Sequence, residues 1–158
     1  MISETLKSFI GRTGEPRIFE VEKGAIKRYA DAIGETNLLY WDDEYARDSR
    51  YGSIIAPPGF FGWPARWTGG MPFHEPLNVE LRETLAKEGF SRIFDAGMEY
   101  EFYRPVWAGD TLESLSRIAM ISEKEAKAGK MFVISLDTTF TNQNGGLVAR
   151  VRKNMIAR

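Results

Sequence analysis

The sequence predicts an α+β domain in which an antiparallel sheet wraps one central helix. Three observations carry that prediction. An early stripe of apolar residues recurs at helical spacing, the C-terminal half alternates apolar with polar residues, and a hairpin dipeptide separates its last two runs.

"RIFEVEK" (17–23) reads as a short first strand, with Ile18, Phe19 and Val21 supplying β-branched and aromatic character. From Gly24 to Ile33, the residues Ile26, Tyr29, Ala30 and Ile33 fall on one helical face, and Gly34 follows as a stop. In "GMEYEFYRP" Met98, Tyr100 and Phe102 alternate with Glu99 and Glu101. In "MFVISLDTTFT" Phe132, Ile134, Leu136 and Phe140 alternate with Val133, Ser135, Asp137 and Thr139. A period of two marks strands with one wet face. "DTLESLSRIAMIS" reads as a strand between them, "EKEAKAGK" (123–130) as the turn that follows it, and "GLVARVRKNMI" as the last strand. Asn144-Gly145 is the hairpin signal, because both residues tolerate positive φ. Arg150, Arg152 and Lys153 read as the wet face of that last strand, ahead of any phosphate contact.

Between helix and strands lies "APPGFFGWPARWTGGMPFHEPLNVELRETLAKEGF" (56–90), whose Pro and Gly density argues against a strand. Asn78 is expected to cap a short helix there, with Leu81 and Leu85 on one face and Gly89 at its stop. A helix against a meander sheet has one economical solution, in which the curved sheet buries the helical stripe. Ile26, Tyr29 and Ile33 are each expected to contribute about 1.5–3 kcal/mol by burial. This is the hot-dog arrangement, taken as one domain over residues 1–158.

Composition narrows the function. The 158 residues are 43% hydrophobic and 27% charged, ordinary for a globular protein that buries a core. Twenty-one basic against 22 acidic residues leave a net charge of −1, without the surplus a nucleic-acid binder needs. With no cysteine, disulfides and thiolate nucleophiles are excluded, and a cytoplasmic setting is expected. The N-terminal stretch "MISETLKSFIGRTGEP" has no long apolar run, so neither a signal peptide nor a membrane span is expected. No cofactor and no metal is called for.

The stretch "YADAIGETNLLYWDD" (29–43) raises the functional question, because a helix runs into a carboxylate, a carboxamide and two aromatics. With its flanks, "FEVEKGAIKRYADAIGETNLLYWDDEYARDSRYGSIIAPPGFF" resembles the MaoC-like hydratase/dehydratase superfamily of hot-dog proteins. The branch it resembles is the one called FAS1-like dehydratase, or MaoC N-terminal type. "FYRPVWAGDTL" (102–112) is similar to a second signature of these proteins, and the likeness extends over nearly the whole chain.

The resemblance implies a site. Catalytic members carry Gly-Asp-x-Asn-Pro-x-His, usually followed by Ile-Ala-His-Gly, and hydrate trans-2-enoyl thioesters or dehydrate the (R)-3-hydroxy form. Their Asp and His hold one water and exchange protons with the substrate. Here the motif reads Gly34, Glu35, Thr36, Asn37, Leu38, Leu39, Tyr40, and "IIAPPGF" replaces Ile-Ala-His-Gly. Glu35 and Tyr40 thus occupy the catalytic positions in a degenerate form, while Asn37 keeps the Asn. Asn37, Pro57, Pro58, Gly59 and Phe60 are expected on the substrate side. A glutamate displaces the carboxylate by about 1 Å, which can cost about 10²-fold in rate. A phenol with an ordinary pKa of about 10 is a poor base near neutrality. His74, the one histidine, lies far from the motif in sequence.

Read on the residues alone, Glu35 is as well explained by a solvated helix end, Asn37 by backbone capping, and Tyr40 and Trp41 by loop packing. Phe60, Phe61, Trp63 and Trp67 suit a core, an interface or the wall of an acyl channel. Three functions follow. The first is a non-catalytic, substrate-binding subunit of a heteromeric (R)-specific enoyl-CoA hydratase or 3-hydroxyacyl-thioester dehydratase, partnered by a catalytic hot-dog chain. The second is an active homo-oligomeric hydratase or thioesterase using Glu35, with Tyr40 or His74 assisting. The third is a module that binds an acyl thioester, on CoA or acyl carrier protein, without turnover.

Overall fold

The computed structural model describes residues 2–60, 76–126 and 129–158. Phe61, Trp63, Trp67 and His74, named above, lie outside the described residues. The elements in chain order are α1 (Glu4–Lys7), β1 (Arg17–Glu20), α2 (Lys23–Ala32), a 3-10 turn (Leu38–Tyr40), α3 (Asp43–Asp48), α4 (Pro76–Lys87), β2 (Ile93–Phe102), β3 (Thr111–Ala126), β4 (Gly129–Asn142) and β5 (Leu147–Ala157). One antiparallel sheet holds all five strands in the order β1-β3-β4-β5-β2. No helix among the described residues is long and apolar enough to cross a membrane.

Alternation in β4 sets the two faces. Phe132, Ile134, Leu136 and Phe140 are buried on one of them. Opposite them on β5, through Phe140↔Ala149, Thr138↔Val151, Ile134↔Met155 and Phe132↔Ala157, the same face continues. That face carries two apolar clusters. Phe140, Ala149 and Val151 pack with Phe19, Ile26 and Ala30, so α2 covers one half as the hot-dog fold requires. Phe132, Ile134 and Met155 pack with Leu77, Leu81 and Leu85 of α4 and with Leu6 and Phe9, so α4 and the N-terminal arm cover the other half. Arg12 ties that arm to Glu80 of α4 at 3.0 Å, and the bridge Thr13↔Arg117 ties it to β3. The α+β hot-dog class expected from the sequence is therefore the observed one.

Several local expectations change. Ile26 and Ala30 are fully buried, but Ile33 is 51% exposed. The helix ends at Ala32, and Gly34 at φ +68 turns the chain before Ile33 can face the sheet. Asn78 does not cap α4, because it lies inside the helix Pro76–Lys87. Leu81, Leu85 and the turn at Gly89 stand where the pattern put them.

The segment 123–130 is mostly strand, since the β3–β4 ladder runs on to Ala126↔Gly129. At the last hairpin only Gly145 takes positive φ; Asn144 does not. Gly145 donates to Asn142 O at 2.8 Å, and the Asn142 side chain accepts from Asn144 N and Gly146 N, so a type I turn with a glycine bulge replaces the mirror-image turn. Lys153 is not on the wet face. It sits across from Leu136 on the covered face, with 21% of its side chain exposed, and pairs with Asp95 at 2.7 Å.

Candidate functional site

The site residues are positioned by the way α2 stops. Glu35 N donates to Ala30 O at 2.8 Å and Gly34 N to Asp31 O at 3.0 Å. These are the two bonds of a Schellman motif, which satisfy carbonyls that the helix leaves open and redirect the chain. Glu35 Oε1 accepts from Asn37 N at 3.0 Å, and Glu35 O accepts from the Trp41 indole at 2.8 Å. Asn37 Oδ1 accepts from Leu39 N at 3.1 Å and so caps the 3-10 turn. Glu35 and Asn37 are thus both engaged in shaping the loop. The capping role anticipated for Asn37 is its observed one, and Trp41 anchors the loop as anticipated.

Tyr40 is delivered by that turn into the apolar interior, with 8% of its surface exposed. Burial first, then the charge of Glu35 and the neighbouring Tyr51, push its pKa above the ordinary tyrosine range. The phenol therefore keeps its proton across neutral pH. It can donate a hydrogen bond, and it cannot serve as the resting base. Among the described residues its hydroxyl has no partner.

Tyr40 forms one wall of a cavity of about 320 Å³ whose other walls include Tyr51, Pro57, Pro58, Phe102 and Arg104. Its size and largely apolar lining suit an acyl chain, and Arg104 adds a cation to that lining. Of the residues singled out in the sequence, Tyr40, Pro57 and Pro58 come together at this cavity. Glu35 and Asn37 remain at the helix exit and are not among its walls.

Gly59 and Phe60 turn inward. The position of a Gly59 Cβ lies 2.7 Å from the Tyr29 hydroxyl, and the Phe60 ring meets Tyr29 edge-on at 5.8 Å. The Pro-Pro-Gly-Phe run therefore divides its work, the prolines toward the cavity and the last two residues into the core beside α2.

The second motif acts as a clip for the first. Ala56 N donates to Val106 O beside the cavity and Ala108 N to Ile54 O, while Gly109 N donates to Val21 O and joins the clip to the end of β1. Asp110 holds the turn, accepting from Trp107 N and from Gln143 Nε2, each at 2.9 Å. The Trp107 indole donates to Tyr51 O at 2.9 Å and so fixes that wall. Tyr51 and Arg104 escaped the sequence reading. Tyr51 lies in a polar turn and Arg104 is the one cation inside the second signature, and the clip brings both to Tyr40.

Residues 8–151 match the family described as the FAS1-like dehydratase domain region. The chain belongs to that family. It is 30% identical to a probable enoyl-CoA hydratase alpha subunit of Thermomonospora curvata, over 96% of this chain and 50% of that protein. It thus spans half the length of that relative. A UPF0336 protein of Streptomyces griseus is 29% identical, over 96% of this chain and 94% of its own.

Two solved assemblies from Mycobacterium tuberculosis share the fold. A chain of the ChsH1–ChsH2 complex superposes with a TM-score of 0.80 at 19% identity, covering 96% of this chain and 90% of that one. A chain of the HadBC (3R-hydroxyacyl-ACP dehydratase) complex gives 0.69 at 19% identity, covering 94% and 96%.

Proposed function

We propose that this chain, acting as one hot-dog unit in the cytoplasm, is the non-catalytic, substrate-binding subunit of a heteromeric (R)-specific enoyl-CoA hydratase or 3-hydroxyacyl-thioester dehydratase. The observation that carries the reading is Tyr40. It stands where catalytic members of the MaoC-like superfamily that the sequence resembles carry histidine, and its burial and the charge of Glu35 favour the protonated phenol. Loss of a positioned general base costs about 10²–10⁴-fold. Glu35, the other motif position, spends one carboxylate oxygen on Asn37 N rather than on the cavity.

The cavity supplies what a binding subunit needs. Tyr40 would offer a donor to a thioester or hydroxyl oxygen, and Pro57, Pro58 and Phe102 would line the acyl group. Arg104 would meet the phosphates that both CoA and acyl carrier protein thioesters carry. The partner would be a second hot-dog chain with intact Asp and His, joined along the open edge of the sheet at β2. The name of the Thermomonospora curvata relative and the two-component assemblies whose chains share the fold support a heteromeric arrangement.

The test is reconstitution. The chain is expressed with a candidate hot-dog chain from the same genome that carries Gly-Asp-x-Asn-Pro-x-His, sought first in the adjacent reading frame, and the pair is assayed for crotonyl-CoA hydration. Co-purification with activity absent from this chain alone supports the proposal. Two proteins that neither associate nor differ in activity when mixed would overturn it.

A further inference from the structure

Strand β2 closes one end of the sheet and pairs with β5 alone among the described strands. Its covered-face residues Met98 and Phe102 are 38% and 46% exposed, so the edge is apolar on that side. The opposite face carries a different pattern. The strand registers align one row of side chains as Arg117, Asp137, Arg152 and Glu99. A second row runs Leu115, Thr139, Arg150 and Glu101.

In the first row the signs alternate, positive, negative, positive, negative. Its centre is a two-pronged ion pair, with Arg152 on Asp137 at 2.7 and 2.9 Å. Both rows end at the sheet edge on a carboxylate, and the sequence of β2, IFDAGMEYEF, contains no lysine or arginine. Asp95, its third acid, is already taken by Lys153. Among the described residues Glu99 forms no ion pair, and Glu101 accepts from the Tyr103 hydroxyl.

We propose that Glu99 and Glu101 select the chain that docks on this edge. The occupant is a second hot-dog chain whose own edge strand carries Lys or Arg on its outward face, and a second copy of this chain is selected against. The inference rests on the partner-subunit reading above and adds the chemistry by which the partner is recognised. A neighbouring strand would lie about 4.8 Å away. An antiparallel two-fold pairing of β2 with itself keeps outward residues opposite outward residues, because a one-residue slip would flip every side chain.

Glu99 and Glu101 of both copies would therefore share one face in any such register. Centred on Tyr100, each glutamate would face a glutamate, and like charges directly opposite are destabilising. A basic outward strand instead adds the next positive rung to both rows.

The test uses this chain and its own variants. Wild type, Glu99→Gln/Glu101→Gln and Glu99→Lys/Glu101→Lys are compared by sedimentation and native mass spectrometry at low and high salt. Thermal melts establish that each variant is folded. The expected result is a wild-type/Lys-variant mixed dimer about tenfold tighter than the wild-type homodimer at low salt, a gap that narrows as salt rises. The Gln variant is expected to self-associate more tightly than wild type, which keeps the test usable if the Lys variant does not fold.

Wild-type self-association as tight as the mixed pair, or unchanged in the Gln variant, overturns the proposal. So does an absence of association in every combination. None of these outcomes touches the helper-subunit reading, which is judged on turnover by the lone chain.

Discussion

Replacing Gly59 with alanine adds one methyl group where the chain leaves no room for it. Gly59 sits at φ +86, a left-handed conformation that costs a residue with a Cβ about 1–2 kcal/mol. The new carbon would also lie 2.7 Å from the Tyr29 hydroxyl, so the ring must leave its position against Phe60. Forcing a side chain off its rotamer costs about 0.5–1.5 kcal/mol. The sum is about 1.5–3.5 kcal/mol, which at a urea slope of about 2 kcal/mol per M lowers the unfolding midpoint by about 1 M. The two parts separate in a double-mutant cycle. Tyr29→Phe removes the clashing oxygen and should recover the second part in the Gly59→Ala background while leaving the first. A loss below about 0.5 kcal/mol, or no relief from Tyr29→Phe, would refute the view that Gly59 is a close-approach residue and not a cavity wall.

Ile26→Ala is expected to cost about 2–5 kcal/mol because the side chain is fully buried. Ile33→Ala should cost under about 1 kcal/mol in the isolated chain, and equal losses in denaturant titrations would contradict the observed helix end. The hydrogen bonds and charge of Arg152 hold the Asp137 carboxyl below its ordinary value of 3.8. A lowered folded-state value gives stability above that ordinary value, lost as pH falls through the depressed one. Asp137→Asn should therefore lower the melting temperature at neutral pH and match wild type in strong acid; a constant difference would be contrary. Arg104→Ala is expected to weaken crotonyl-CoA binding by about three- to tenfold, more at low salt than at high salt. Unchanged affinity in calorimetry would remove Arg104 from the carrier end of the site.

Much of the fold was legible because alternation is a strong signal. The even residues of β4 from Phe132 to Phe140 give the covered face directly, and the four long strands fall close to their expected runs. What escaped depended on partners distant in the chain. Ile33 matches the periodicity of α2, but the helix ends one residue before it and Gly34 turns the chain away, so it stays exposed. Lys153 reads as wet until the β5 register places it opposite Leu136, with Asp95 near enough to satisfy its charge.

The site was half legible. Tyr40, Pro57 and Pro58 stand out in sequence and meet at one cavity. Tyr51 and Arg104 join them through the Trp107 indole and the clip at 105–110; that clip was visible as the second signature, but its contact with the Tyr51 loop spans 56 residues of chain and was not. Gly59 and Phe60 belong to the same short run as the prolines, yet the positive φ at Gly59 turns them the other way.

The measurement that bears most directly on the account is crotonyl-CoA hydration by the isolated chain near neutral pH, run beside its Glu35→Ala variant. A phenol that holds its proton and a carboxylate bound to its own loop should give no turnover above the uncatalysed rate in either protein. Turnover by the unmodified chain that disappears in Glu35→Ala would show that this chain carries its own acid–base machinery.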